Sequence, residues 1–141
     1  MTHAFLETRE SFAAFMQAWE SGRLPKAQWT HAAHVAMGSA YVVRHGPAAV
    51  DEMRRGIKRH NAAVGTLDTE TSGYHETLTR FWTIVLSRWV AGYSDPWLAA
   101  CHAVGKFGEE RGLHGLYYSF DVVKDRAARA GWVPPDLEGP Y

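Results

Sequence analysis

Apolar positions recur along most of this chain at steps of three and four, the spacing of one face of an α-helix, and one stretch departs from the pattern by having almost no polar face. Residues 7–19 set Phe12, Phe15, Met16 and Trp19 on one side and Glu7, Arg9, Glu10 and Gln17 elsewhere. Ser21-Gly22 stops that helix. The next helix begins near Pro25 or Lys26, or at Thr30 as an N-cap, and runs to His45. From Trp29 to Val43 it carries no charge beyond that of His31 and His34, so it should run through the middle of the domain. Gly46 ends it, and Pro47 opens a third helix to about residue 61. Val50, Met53 and Ile57 face inward there, and six charged residues from Asp51 to Arg59 face water.

Residues 62–73 form the one long polar connection. A fourth helix is predicted from Ser72-Gly73 to residue 91, with His75, Leu78, Trp82, Val85 and Trp89 as its inward stripe and Glu76 on the border. Asp95-Pro96 launches a fifth over 96–107. Residues 113–121 are aromatic and read as a short helix or an extended piece; 121–130 reads as helix, and Trp132 to Leu137 as a proline-stiffened tail. No strand-like alternation with turn signals occurs. The expected fold is all-α, a single-domain helical bundle of about five to six helices spanning residues 1–141.

Composition narrows the function classes. Fifteen basic and fifteen acidic residues cancel, so no basic field invites nucleic acid or anionic lipid. The start of the chain does not read as a signal peptide, and no apolar run is long enough for a membrane span, which makes a cytoplasmic protein the default. The single cysteine excludes an intrachain disulfide and a thiolate metal cluster. Cys101 reads as a small core residue, since no charge near it in sequence would lower its pKa. Eight histidines are many for 141 residues and need an account of their own.

His31 and His34 are one helical turn apart and can share a ligand. Imidazoles suit zinc, iron, nickel or copper, and His75, if the second and fourth helices pack side by side, supplies a third nitrogen. Glu76 is then a fourth ligand, an acceptor orienting a ligand histidine, or a general base on metal-bound water. It points about 100° from His75 on the helical wheel, which ranks direct ligation last. Its alternative is a plain ion pair with Arg80 at i+4. His45 shares the stripe but lies fourteen residues beyond His31 (45 − 31), about 21 Å along the axis, and cannot serve the same metal. His60 ends a basic helix and reads as solvated; His102 and His114 are weak candidates, and Trp29 is a possible wall of the pocket.

Trp29-Thr30-His31 through His34, Gly73-Tyr74-His75-Glu76-Thr77 with Thr79 and Trp82, and Trp132-Val133 with Pro135-Asp136-Leu137 resemble a family of small uncharacterised bacterial proteins. The resemblance spans about residues 29–137 and implies no activity. Two readings follow. One is a divalent-metal site of His31, His34 and His75 with Glu76 close by, which would suit an enzyme acting on a small-molecule substrate. The other is a non-catalytic ligand-binding or dimerisation module, in the latter case a homodimer, whose histidines are structural. A metal-free acid/base site of His75 and Glu76 is a third, weaker reading.

Overall fold

The computed structural model describes residues 3–137; Met1 and Thr2, part of the start read above as leaderless, lie outside them with 138–141. Six α-helices follow in order: α1 Arg9–Glu20, α2 His31–His45, α3 Ala49–Val64, α4 Glu76–Trp89, α5 Pro96–Phe107 and α6 Arg126–Ala130. Short 3-10 turns lie at Ala4–Leu6, Lys26–Gln28, Gly46–Ala48 and Leu113–Leu116, and no strand occurs among the described residues. The all-α expectation holds. No helix among the described residues is long and apolar enough to cross a membrane.

α2 runs through the middle. Every residue from Val35 to Tyr41 is buried, and α5, α4 and α3 all pack against the helix, α5 most extensively. Small side chains permit this closeness. At Gly38 an added Cβ would come within 2.8 Å of the Leu86 side chain on α4. Around α2, Trp19, Met16 and Phe81 are sealed from solvent, and Trp19 stacks on Trp29 with centroids 5.0 Å apart.

Several boundaries differ from those read in the sequence. Pro47 sits in a 3-10 turn, and α3 begins after it and continues to Val64, where Gly65 takes φ +79° as a left-handed stop. Only residues 126–130 of the expected 121–130 helix form, because the Asp125 carboxylate accepts from Ala128 N–H at 2.8 Å and starts the helix there. α4 starts at Glu76 rather than at Ser72-Gly73, with His75 extended before it as the N-cap.

The polar connection before α4 is an ordered loop. Asp68 Oδ1 accepts from the Tyr74 N–H at 2.8 Å and from Asn61 Nδ2 at 3.1 Å. Gly73 turns the chain at φ +80°, where a Cβ would meet the Leu67 carbonyl oxygen at 2.6 Å. Past α5 the chain is strapped back onto α4: Thr77 Oγ1 donates to the Gly131 carbonyl at 2.7 Å and accepts from Val133 N–H at 2.9 Å. Asp136 accepts from the backbone and hydroxyl of Ser119, and Tyr118 donates to the Val133 carbonyl.

Gly73→Ala should lower the unfolding free energy by about 1–3 kcal/mol, because the side chain meets both a left-handed backbone and filled space. Equilibrium denaturation checks this, and a loss below about 0.5 kcal/mol would show that the loop relaxes freely.

Candidate functional site: a histidine-lined cavity

The opening of α2 fixes two imidazoles through backbone carbonyls. Thr30 caps the helix by accepting from Ala33 N–H at 3.3 Å, and its own carbonyl accepts from His34 N–H at 3.0 Å. The same carbonyl lies 2.7 Å from His34 Nδ1. His31 Nε2 lies 3.0 Å from the carbonyl of Phe107, the last residue of α5, where helix carbonyls lack intrahelical partners. A carbonyl only accepts, so each facing nitrogen carries the hydrogen. In the neutral rings, the lone pairs therefore sit on His31 Nδ1 and His34 Nε2. Among the described residues neither of these nitrogens has a hydrogen-bond partner, and neither is sealed from solvent. Trp82 meets His31 edge-on at 5.1 Å, and Trp29 lies against His34 at 3.8 Å between centroids.

Both rings are held neutral. Burial lowers the pKa of His34 to about 4, against a partial opposing effect of the Thr30 carbonyl and with help from His31, His60 and Arg111. Burial also lowers that of His31, and Arg111 acts in the same direction.

His75 is differently employed. Its Nδ1 accepts from Leu78 N–H at 3.1 Å, closing the first turn of α4, and its Nε2 donates to the Val122 carbonyl at 2.8 Å. Both ring nitrogens are committed to backbone, and no lone pair is left for a metal. Burial and nearby Arg129 keep this ring neutral too. Among the described residues no group of three or more His, Cys, Asp or Glu side chains is placed to hold a metal ion. His31, His34 and His75 do share a cavity, but not as three converging donors.

Glu76 faces elsewhere. Arg54 on α3 grips it with two parallel bonds, Nε to Oε1 at 2.8 Å and Nη2 to Oε2 at 2.7 Å, and Tyr74 donates to Oε1 at 2.7 Å. The Arg54 guanidinium holds its pKa below the ordinary carboxylate value. Glu76 lines a separate groove with Lys58, Arg80 and Trp132, outside the histidine cavity. Where a ligand, orienting acceptor or base was expected, the structure shows Glu76 as an ion-pair anchor between α3 and α4. The partner is Arg54 rather than Arg80, whose guanidinium lies over Trp132.

The remaining histidines sort clearly. His60 is fully buried rather than solvated, with Nε2 at 2.8 Å from the Leu24 carbonyl, because the end of α3 packs under Trp19 and Trp29. His102 stacks between Trp89 and Tyr93. His45 packs on Tyr41. Cys101 is partly buried, with its pKa raised by burial, as befits a packing residue. His114 lines the cavity, and its Nδ1 is buried without a geometrically formed hydrogen bond, although the Arg111 backbone lies within electrostatic influence of the ring.

The cavity itself is about 530 Å³, an ordinary size for a small-molecule pocket. Met37, Met53, Leu78, Trp82 and Leu86 supply apolar wall, and the four imidazoles of His31, His34, His75 and His114 supply polar points. Trp29 lines it as well. Arg111 and Arg129 also line it and were not foreseen. Arg111 follows Glu109-Glu110 in a charged run that reads as solvated surface, so no sequence signal marked it. Protein-family models, curated proteins and solved structures were all compared with the chain, and none matches.

The desolvated, partly buried imidazoles make stability pH-dependent. His34 binds its proton less readily folded, at about 4, than unfolded, at 6.5. Between those values the unfolded chain holds more protons, so stability is complete above the unfolded pKa and falls as pH drops toward the folded one. For His34 the loss is on the order of 3 kcal/mol once pH is below both values. His31, His75 and His114 shift in the same direction and steepen the slope. Denaturation at pH of about 7 and about 5 should show a smaller acid loss in His34→Gln than in the parent. Equal slopes would contradict a neutral, desolvated His34.

Proposed function

We propose that this protein binds a small molecule in the histidine-lined cavity, as a ligand-binding module rather than an acid/base enzyme. One observation carries the reading: His31 and His34 are each anchored by a backbone carbonyl, leaving an unpartnered lone pair on rings that line the cavity. Two rigid acceptors beside an apolar wall suit a ligand with donor groups on an apolar body. They suit proton abstraction poorly, because a ring whose conjugate acid has a pKa of about 4 is a weak base at neutral pH.

A divalent metal on His31, His34 and His75 is the second reading, and the carbonyl anchoring favours it, since metal-bound imidazoles are commonly oriented in this way. The rest of the donor set fits less well. His75 would have to release both Leu78 N–H and the Val122 carbonyl, uncapping α4. Glu76 would have to leave Arg54.

Two measurements separate these readings. In NMR titrations with a panel of small organic molecules, binders should shift the Trp82 indole and the His31 and His34 rings, and His34→Ala should weaken them by up to about tenfold. A panel with no binder in the cavity would contradict the proposal. Added zinc, nickel, iron or copper should leave the melting temperature of untagged protein nearly unchanged. A chelator-reversible rise that His31→Ala and His75→Ala each abolish would establish the metal reading instead.

A further inference from the structure

The charges around the cavity are segregated. The chain as a whole balances fifteen basic against fifteen acidic residues, yet the cavity is lined by Lys26, Arg111 and Arg129 and by no Asp or Glu. The three cations differ in availability. Arg129 spends its guanidinium on the carbonyls of Gly73, Tyr74 and Val123, which leaves its charge beside the cavity but few donors free. Arg111 has no ion pair or side-chain hydrogen bond among the described residues, and it is exposed, as is Lys26. Exposed residues that also line a cavity stand at its rim. Glu109 and Glu110 lie close enough to act on His31, but neither lines the cavity.

Building on the ligand-binding reading above, we propose that the ligand is an organic anion, a carboxylate on an apolar body, with its charged end held by Arg111 and its body against Met37, Met53, Leu78, Trp82 and Leu86. A guanidinium offers a planar fork of donors that matches a carboxylate two-for-two. An unpaired guanidinium at the rim of a low-dielectric cavity attracts such a group more strongly than one in open water. The neutral imidazoles inside add no competing negative charge, and their lone pairs accept from hydroxyl or amide hydrogens on the ligand's body. The same field weighs against a cation, whether an amine or a metal ion, because nothing anionic on the wall would offset its charge.

The test is a titration of the full chain, followed by NMR at the Trp82 indole, with a panel of small aromatic and aliphatic carboxylates, the neutral primary amide of each, and the matching amine. Carboxylates should bind in the cavity roughly tenfold or more tightly than their amides, as a charge-assisted hydrogen bond requires, and amines should bind weakest. Arg111→Gln, a change at an exposed loop position, should bring carboxylate and amide within about twofold of each other. Amides or amines that bind in the cavity as well as the carboxylates, in the parent protein, would overturn the anion proposal and leave the ligand-binding reading standing. A carboxylate preference that survives Arg111→Gln would overturn the assignment of Arg111. Absence of any binder at Trp82 across the panel would overturn both readings together.

Discussion

The first turn of α4 holds the rest of the structure in place. A helix start leaves backbone N–H groups without partners, and a buried one must find acceptors within the protein. Here the acceptor is an imidazole: His75 takes the Leu78 N–H and donates its other hydrogen to the Val122 carbonyl, 47 residues away in the chain. The neighbouring positions repeat this logic. Gly73 makes the turn, Tyr74 and Arg54 hold Glu76, and Thr77 clasps the returning C-terminal segment. That clasp closes one side of the cavity, bringing Val123, Arg129 and His114 to the wall that α2 and α4 already form.

Much of this was legible in the pattern of residues. The uncharged run from Trp29 to Val43 marked the central helix, Thr30 marked its cap, and Asp95-Pro96 marked the start of α5. The three histidines do border one cavity, as the apolar stripes of α2 and α4 suggested. What the periodicity could not distinguish was a residue on the inward stripe from one in the cap just before it. The side chain of a cap lies over the first turn, so His75 keeps the spacing of the stripe with Leu78 and Trp82 while its ring turns to the backbone. The partner of Glu76 was hidden for a related reason. Its partner Arg54 comes from a helix 22 residues earlier, and nothing in local spacing announces that pairing over an i+4 pair with Arg80. His60 ends a strongly basic helix, and its burial depends on two tryptophans brought in from elsewhere.

Electrostatics then choose among the uses to which such a cavity could be put. Every imidazole on its wall is pushed toward neutrality by burial, and arginines add to the effect at His31, His34 and His75. Neutral rings can accept hydrogen bonds or ligate metals, but they are poor reservoirs of protons at neutral pH. With His75 tied to the backbone, Glu76 tied to Arg54 and no carboxylate on the wall, the cavity is better built to receive an anion than a cation. The polar points come from helix ends, so a ligand of the proposed kind would meet a preformed site.

The tautomers of the ring nitrogens test this account most directly. Long-range proton–nitrogen correlation NMR of the histidine side chains at neutral pH distinguishes a protonated Nδ1 from a protonated Nε2 and both from an imidazolium. The account predicts neutral rings throughout the cavity, with the hydrogen on Nδ1 in His34 and on Nε2 in His31 and His75. A His34 hydrogen on Nε2, or an imidazolium at either His31 or His34, would contradict it, because the lone pairs on which the site depends would then be absent.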